Sequence, residues 1–202
     1  LLAISSLNDL KFKYFKDKFL IDEKFFFKKY EDLINCNEID VVYITLPNTM
    51  HYPWIKKCIE KNKNILVEKP AFNKSEHCTE VKQNILKRKL FFSEGYMYRY
   101  NPLIENVIEI INTGELGNVI SMESSFCKNI LTKKKFFFFK KKRKIDPKSR
   151  LFDQNLGGGS ILDLGCYPSS FSLLIASMIK GIDIKDFRLK NIRKEMGPTN
   201  VD

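Results

Sequence analysis

Two apolar runs, each stopped by a proline, constrain this chain more than any other feature. Ile39 to Pro47 reads IDVVYITLP, β-branched and almost unbroken, and Asn64 to Pro70 repeats the arrangement as NILVEKP. Runs of this kind suit central parallel strands covered on both faces. Between them, His51 to Asn62 carries Ile55, Cys58 and Ile59 at helical spacing. The pattern extends in both directions. Leu1 to Ile4 reads as a strand, Asp9 to Phe19 as a helix, and Phe25 to Phe27 as a short strand or turn before another helix. A helix over about Lys74 to Arg88 then leads to the strand candidate LFFSEGYMY. Strands of about five residues alternating with helices of about ten to fifteen are the pattern of βαβ units and a parallel sheet.

The expected fold class is therefore α/β over residues 1–100: an incomplete doubly wound parallel sheet of the nucleotide-binding kind. Beyond Arg99 the alternation changes. NPLIENVIEIINTGELG reads as one amphipathic helix with a glycine stop, and NVISMESSFC and DIKDFRLKNIRKE read as half-exposed strands. Residues 101–202 are expected to form a second, α+β domain.

In a doubly wound sheet, ligands bind outside the carboxyl ends of the strands. The segments to inspect are thus SSLN, LPNTMH, EKP and EGYMYRY. Lys69 sits between Glu68 and Pro70 at such an end. A lysine in a partly dehydrated cleft can donate to a substrate hydroxyl and share in proton transfer, although a strand end with a solvated lysine is the more common reading of the tripeptide taken alone. Further on, LGGGSILDLGCYP places glycines 157–159 ahead of a helix, with Asp163 and Tyr167 four apart and on one face if that segment is helical. An acid and a phenol so placed can address one polyol. Asp163 as a cap and Tyr167 as a core residue is the simpler alternative. In EGYMYRYNP, Tyr96, Tyr98 and Tyr100 lie on one side if the segment is extended, with Met97 and Arg99 on the other.

The composition excludes several classes. The 202 residues are 44% hydrophobic, which is ample for a packed core. No apolar stretch approaches the roughly 18–20 residues needed to cross a bilayer. The opening LLAISSLNDLKFKYF lacks the order of a signal peptide, so a soluble, cytoplasmic chain is expected. Five cysteines (Cys36, Cys58, Cys78, Cys127 and Cys166) have no CxxC spacing, and the two histidines form no ligand cluster. Free, buried or half-buried thiols and no metal site are expected. The net charge of +11 is mostly scattered lysine, consistent with solvated helix faces. The block KKKFFFFKKKRK, Lys133 to Lys144, admits a nucleic-acid arm. An irregular, partly disordered loop is the preferred reading, with no nucleic-acid partner and no membrane.

The order VVYITLPNTMH, ILVEKP, EGYMYRYNP, LGGGSILDLGCYP resembles the Gfo/Idh/MocA oxidoreductases, over roughly Leu1 to Tyr167 and more loosely beyond. The resemblance implies a Rossmann domain followed by a domain built on an open, mostly antiparallel sheet. It also implies NAD(P)-dependent hydride transfer to or from a carbon of a sugar, polyol or nucleotide-linked sugar. Lys69 matches the family lysine that meets substrate and nicotinamide ribose, and Asp163 matches the acid that orients substrate. Tyr167 takes the acid/base position, and Arg99 borders the sugar pocket. Leu46, Pro47, Asn48, His51, Glu68, Lys69 and Pro70 match cofactor-side positions. A homo-oligomer, dimer or tetramer, formed through the C-terminal sheet is also implied.

The chain departs from the family at its start. No glycine precedes Gly95, so the glycine-rich phosphate turn and the strand before it are missing, and the expected C-terminal strands do not follow Asp202. A chain truncated at both ends is expected. Its alternative function is that of a catalytically inactive fragment or a non-catalytic interaction subunit of the same fold. The end of the first strand, Ser5-Ser6-Leu7-Asn8, lacks the acid that grips the ribose diol of NAD. That favours NADP, with Ser5 and Ser6 near the 2′-phosphate.

Overall fold

The computed structural model describes residues 1–135, 139–179, 182–193, 195–197 and 199–201. The chain forms two compact units. One comprises Leu1–Leu46 with Met50–Gly95, the other Pro47–Thr49 with Tyr96–Asp202.

In the first unit, β1 (Ile4–Ser5) pairs in parallel with β2 (Phe26–Phe27), Ile4 opposite Phe26 and Ser5 opposite Phe27. Between them runs α1 (Asp9–Phe19), started by Asn8, whose side chain accepts the amides of Leu10 and Lys11. Asp9 in its first turn and Lys16 and Lys18 in its last complement the helix dipole. Helix α2 (Tyr30–Asn35) leads to a second ladder of β3 (Val41–Ile44), β4 (Asn64–Val67) and β5 (Phe92–Glu94), all parallel, with β4 in the middle. The crossovers are α3 (Asn48–Glu60) and α4 (Ser75–Arg88). This is the expected Rossmann-type alternation.

The core lies where α3 and α4 cover the ladder. Ile55, Cys58 and Ile59 of α3 and Val81 of α4 are buried with Val42, Ile44, Ile65 and Val67 of the strands. One expectation fails here. β3 is not covered on both faces: Val42 and Ile44 are buried, whereas Val41 and Tyr43 are each 54% exposed. β3 is an edge of its ladder, and among the described residues no strand pairs with its other side. An unbroken β-branched run thus behaves as a strand with only one face covered.

The second unit opens with a 3-10 turn, Met97–Tyr100, and α5 (Pro102–Thr113). Asn101 caps α5, Pro102 occupies its first position, and Gly114 ends it at φ 78°. A two-stranded antiparallel ladder follows, β6 (Thr132–Lys135) with β7 (Phe139–Lys142). The irregular loop expected over Lys133 to Lys144 is therefore a hairpin in its described part, and residues 136–138 lie outside the described residues. The unit ends with α6 (Cys166–Ala176), preceded by a π-helical turn, Ile161–Gly165.

The open sheet expected in this unit is not formed among the described residues. NVISMESSFC is irregular and its Ile120 is 95% exposed, and the described residues of DIKDFRLKNIRKE hold only the 3-10 turn Ile184–Asp186. Alternation makes a strand only where a neighbouring edge takes up its N–H and C=O groups, and among the described residues no strand pairs with these segments. No helix among the described residues is long and apolar enough to cross a membrane.

Candidate active site

In the first unit the candidate residues gather at the carboxyl ends of β3, β4 and β5. The amide of Glu68 donates to the carbonyl of Ile44 at 3.0 Å, extending the β3–β4 ladder by one bond. The Glu68 carboxylate accepts the hydroxyl of Tyr43 from β3. That hydrogen bond, with partial burial and the nearby negative charge, pushes the Tyr43 phenol up to about 12. Lys69 and Pro70 follow across a cis peptide bond, and Pro70 is buried.

His51 does not present a surface to a ligand. It is 0% exposed, with Nδ1 2.8 Å from the carbonyl oxygen of Pro70 and Nε2 2.7 Å from that of Leu46. The residue expected on the cofactor side therefore holds together, from behind, the loops that follow β3 and β4. Glu94 does similar work from β5, accepting the amide of Ala71 on Oε1 at 2.7 Å. Sequence reasoning missed Glu94 although it stands in the EGYMYRYNP motif, because only a turn in the loop brings position 71 back to β5.

At the end of β1 the two serines differ. Ser5 Oγ donates to the carbonyl of Phe27 at 2.9 Å, and Ser6 Oγ accepts the amide of Asn8 at 3.1 Å. A phosphate accepts hydrogen bonds, so a hydroxyl whose proton already serves β2 is a poor ligand for one. The Ser5 hydroxyl, expected near the 2′-phosphate, thus lies on the β1–β2 ladder.

In the second unit, Gly157 and Gly159 have φ of 74° and 113°, and a Cβ on Gly158 would lie 2.9 Å from the carbonyl oxygens of Leu151 and Asp153. Only glycine fits this tight loop. Pro47–Thr49 belong with this unit: Asn48 Nδ2 donates to the carbonyl of Gly157 at 3.1 Å, and Thr49 Oγ1 to that of Asn155 at 3.1 Å. Asn48, expected beside the cofactor, thus has its amide group on the glycine loop.

Asp163 lies in the π-helical turn and Tyr167 at the second residue of α6. π-turns inside helices recur at functional sites because they re-aim side chains. Asp163 pairs with Arg150 Nη1 at 3.3 Å, a cation that no motif announced. The Tyr167 hydroxyl donates to Met97 Sδ at 3.4 Å, and its ring packs among Tyr96, Tyr98 and Phe126 at 5.8, 6.3 and 5.1 Å. The Tyr98 hydroxyl shares a hydrogen bond with Ser170 Oγ at 2.8 Å. The segment is a 3-10 turn rather than extended, which corrects the alternation expected for its tyrosines, and Arg99 on it is exposed. The aromatic setting supports Tyr167 as an oriented phenol.

The parts fit a nicotinamide dinucleotide in kind. Ends of parallel strands are where such cofactors lie, and the loop bearing Glu68 and Lys69 is anchored there while both side chains stay only partly buried. Among the described residues no group of three or more histidine, cysteine or acidic side chains could hold a metal ion.

Comparison with known proteins agrees with this reading. Residues 1–96 match the Gfo/Idh/MocA model, described as an oxidoreductase family with an NAD-binding Rossmann fold. A D-xylose 1-dehydrogenase (NADP(+)) from Haloferax volcanii is 31% identical over 72% of this chain and 40% of its own length. A dTDP-3,4-didehydro-2,6-dideoxy-alpha-D-glucose 3-reductase from Streptomyces violaceoruber is 26% identical over 77% of this chain and 40% of its own. Among solved structures, a 3-ketoreductase from Actinomadura kijaniata, in complex with NADP and TDP-benzene, superposes with a TM-score of 0.70 at 24% identity. That likeness covers 87% of this chain and 49% of that one, and it shows the shared fold. The chain thus spans about two fifths of the length of these curated relatives. Through its NAD-binding Rossmann half, the chain belongs to the Gfo/Idh/MocA oxidoreductase family.

Proposed function

We propose that this chain carries the hydride-transfer site of an NAD(P)-dependent oxidoreductase acting on a carbon of a sugar, polyol or nucleotide-linked sugar. The observation that carries the reading is the anchored loop Glu68-Lys69-Pro70 at the carboxyl end of β4, within residues that match the family's NAD-binding fold. Relatives named for D-xylose and for a dTDP-linked keto sugar support the substrate class. The name of the xylose enzyme and the absence of an acid at the end of β1 both favour NADP over NAD.

When bound, the nicotinamide supplies the carbon that gives or takes the hydride. The rest falls to this chain's own residues. The Tyr167 phenol gives or takes the hydroxyl proton, and the Lys69 ammonium lowers the cost of the phenolate that forms when the proton leaves. Asp163, held by Arg150, accepts a neighbouring substrate hydroxyl and so orients the ring. Leu46, Pro47, Glu68, Lys69 and Pro70 line the cofactor side, and Arg99 borders the sugar.

The test is a fluorescence titration with NADPH and NADH, followed by turnover on a panel of aldoses and polyols. Saturable enhancement at micromolar cofactor is expected. Lys69→Ala and Tyr167→Phe are expected to lower kcat by about 10²–10⁴-fold, the usual cost of losing a positioned acid or base. Unchanged kcat in both variants would remove these roles. A folded chain without any saturable cofactor signal would favour the non-catalytic alternative.

A further inference from the structure

The backbone around Lys69 is anchored at three neighbouring residues by groups from three other elements. Glu68 is tied to β3 through its amide on Ile44 O and its carboxylate on the Tyr43 hydroxyl. Pro70 is tied to α3 through its carbonyl on His51 Nδ1. Ala71, 1% exposed, is tied to β5 through its amide on Glu94 Oε1 at 2.7 Å.

Of these anchors, Glu94 places an ionisable carboxylate on a main-chain N–H. It pairs with Val67, the last residue of β4, and Gly95 follows it. A Cβ on Gly95 would lie 3.2 Å from the Val67 carbonyl oxygen, which already accepts the Gly95 amide at 2.8 Å. Glycine at 95 thus lets the end of β5 close onto the end of β4. That approach brings the Glu94 carboxylate within reach of a residue four beyond Val67.

We propose that Glu94 is a positioning residue for Lys69: by accepting the Ala71 amide it fixes the course of the loop and hence the direction in which the lysine leaves it. The proposal rests on the proton-handling role given to Lys69 above. A carboxylate on an N–H makes a charge-assisted bond, stronger than an amide–amide one. Its removal leaves a buried donor unsatisfied two residues from the lysine. Misplacing a reacting group by about 1 Å can cost about 10²-fold in rate, so an anchor this close need not touch substrate to matter. A general-base role for Glu94 makes a different prediction, because glutamine keeps the accepting oxygen and loses the base.

The experiment compares Glu94→Gln, Glu94→Ala and Glu94→Asp in the full 202-residue chain. Two readouts are used: exchange of the Ala71 amide, followed by ¹⁵N NMR, and kcat with KM for the sugar that the wild type turns over. In Glu94→Ala, exchange at Ala71 should accelerate at least about tenfold, since a locally opened amide loses its protection. Its kcat should fall by about 10- to 100-fold with KM little changed. Glu94→Gln should keep the protection and recover kcat to within a few-fold. Glu94→Asp keeps the charge but falls one methylene short. It should behave as a milder alanine, and it decides the question if Glu94→Ala does not fold.

Unchanged exchange at Ala71 in both shortened variants would overturn the proposal. So would a Glu94→Gln enzyme as slow as Glu94→Ala. If the wild type binds no cofactor, the functional reading fails on that titration, and the exchange data still decide whether Glu94 holds the loop.

Discussion

The hydroxyl of Tyr43 on β3 donates to the carboxylate of Glu68 just past β4, so the residue before Lys69 is tied to a neighbouring strand. The bond makes the phenol hard to ionise, because a phenolate would lose it and face a carboxylate, and Tyr43 is pushed up to about 12. A raised value in the folded state stabilises the fold fully below the unfolded value of about 10, and that contribution fades as pH rises through about 12. Tyr43 is 54% exposed, so solvent screens the energy, and the titration itself is the better readout. The absorbance titration at 295 nm of wild type minus Tyr43→Phe should show one phenol with a midpoint near 12. A difference curve centred near 10 would show the bond absent in solution.

His51 gives a second prediction, on stability. Its ring is fully buried between the carbonyl oxygens of Leu46 and Pro70, and an imidazole with one N–H serves one of them as donor, so His51→Leu leaves that carbonyl without its partner. A buried carbonyl left unsatisfied costs about 1–3 kcal/mol, so the expected loss by urea unfolding is about 1–3 kcal/mol. The same variant should bind NADPH more weakly, since the loops after β3 and β4 lose a common anchor. A loss below about 1 kcal/mol would mean that other donors satisfy these carbonyls.

How far the sequence was legible follows from the range of the interactions involved. Helix α1 could be read to its ends because Asn8, Asp9 and the terminal lysines are local signals. β4 was legible because a proline-stopped apolar run of this kind seldom folds as anything else. β3 misled on its second face, since nothing within Ile39–Pro47 says whether a neighbour lies beyond the edge. The extended reading of Tyr96–Tyr100 failed because alternation of tyrosines does not exclude a 3-10 turn. Among the candidate residues, Lys69, Asp163 and Tyr167 stood out by their motifs. The contacts of Glu94, Arg150 and Met97 could not be read, because their partners Ala71, Asp163 and Tyr167 are 23, 13 and 70 positions away. The Ser5 hydrogen bond was hidden for a similar reason: its partner, Phe27, is on another strand.

The cysteines separate by environment, which corrects the expectation that all five are at least half-buried. Cys78 and Cys127 are exposed, whereas Cys58 is 1% exposed between α3 and the ladder. Burial pushes the Cys58 thiol up to about 12, only partly offset by the positive charge of Lys63. The thiolate is the reactive form, so at pH 8 a maleimide should label Cys78 and Cys127 in the folded chain and leave Cys58 untouched. Peptide mapping should find Cys58 labelled only after denaturation. Labelling of native Cys58 at a rate comparable with Cys78 would mean that α3 opens readily from the sheet.

Lys63, the cation that partly offsets the effect of burial on Cys58, is itself 8% exposed, and its Nζ donates to the carbonyls of Cys36 and Ile39 at 2.7 and 2.6 Å. Those carbonyls belong to the turn that carries the chain from α2 into β3. The next residue, Asn64, donates its amide to Asp40 and opens the β3–β4 register opposite Val41. One ammonium thus ends the turn at the point where the parallel ladder begins. Lys63→Met keeps most of the stem but removes both donors, and should cost about 2–3 kcal/mol, the range for leaving buried carbonyls unsatisfied. If the ammonium also sets the start of the ladder, the loss should be local as well as global. Amide exchange at Val42 and Asn64 should then accelerate more than at Val81, which lies on α4 away from the turn. Equal acceleration at all three would mean that Lys63 contributes burial and hydrogen bonding without defining the register.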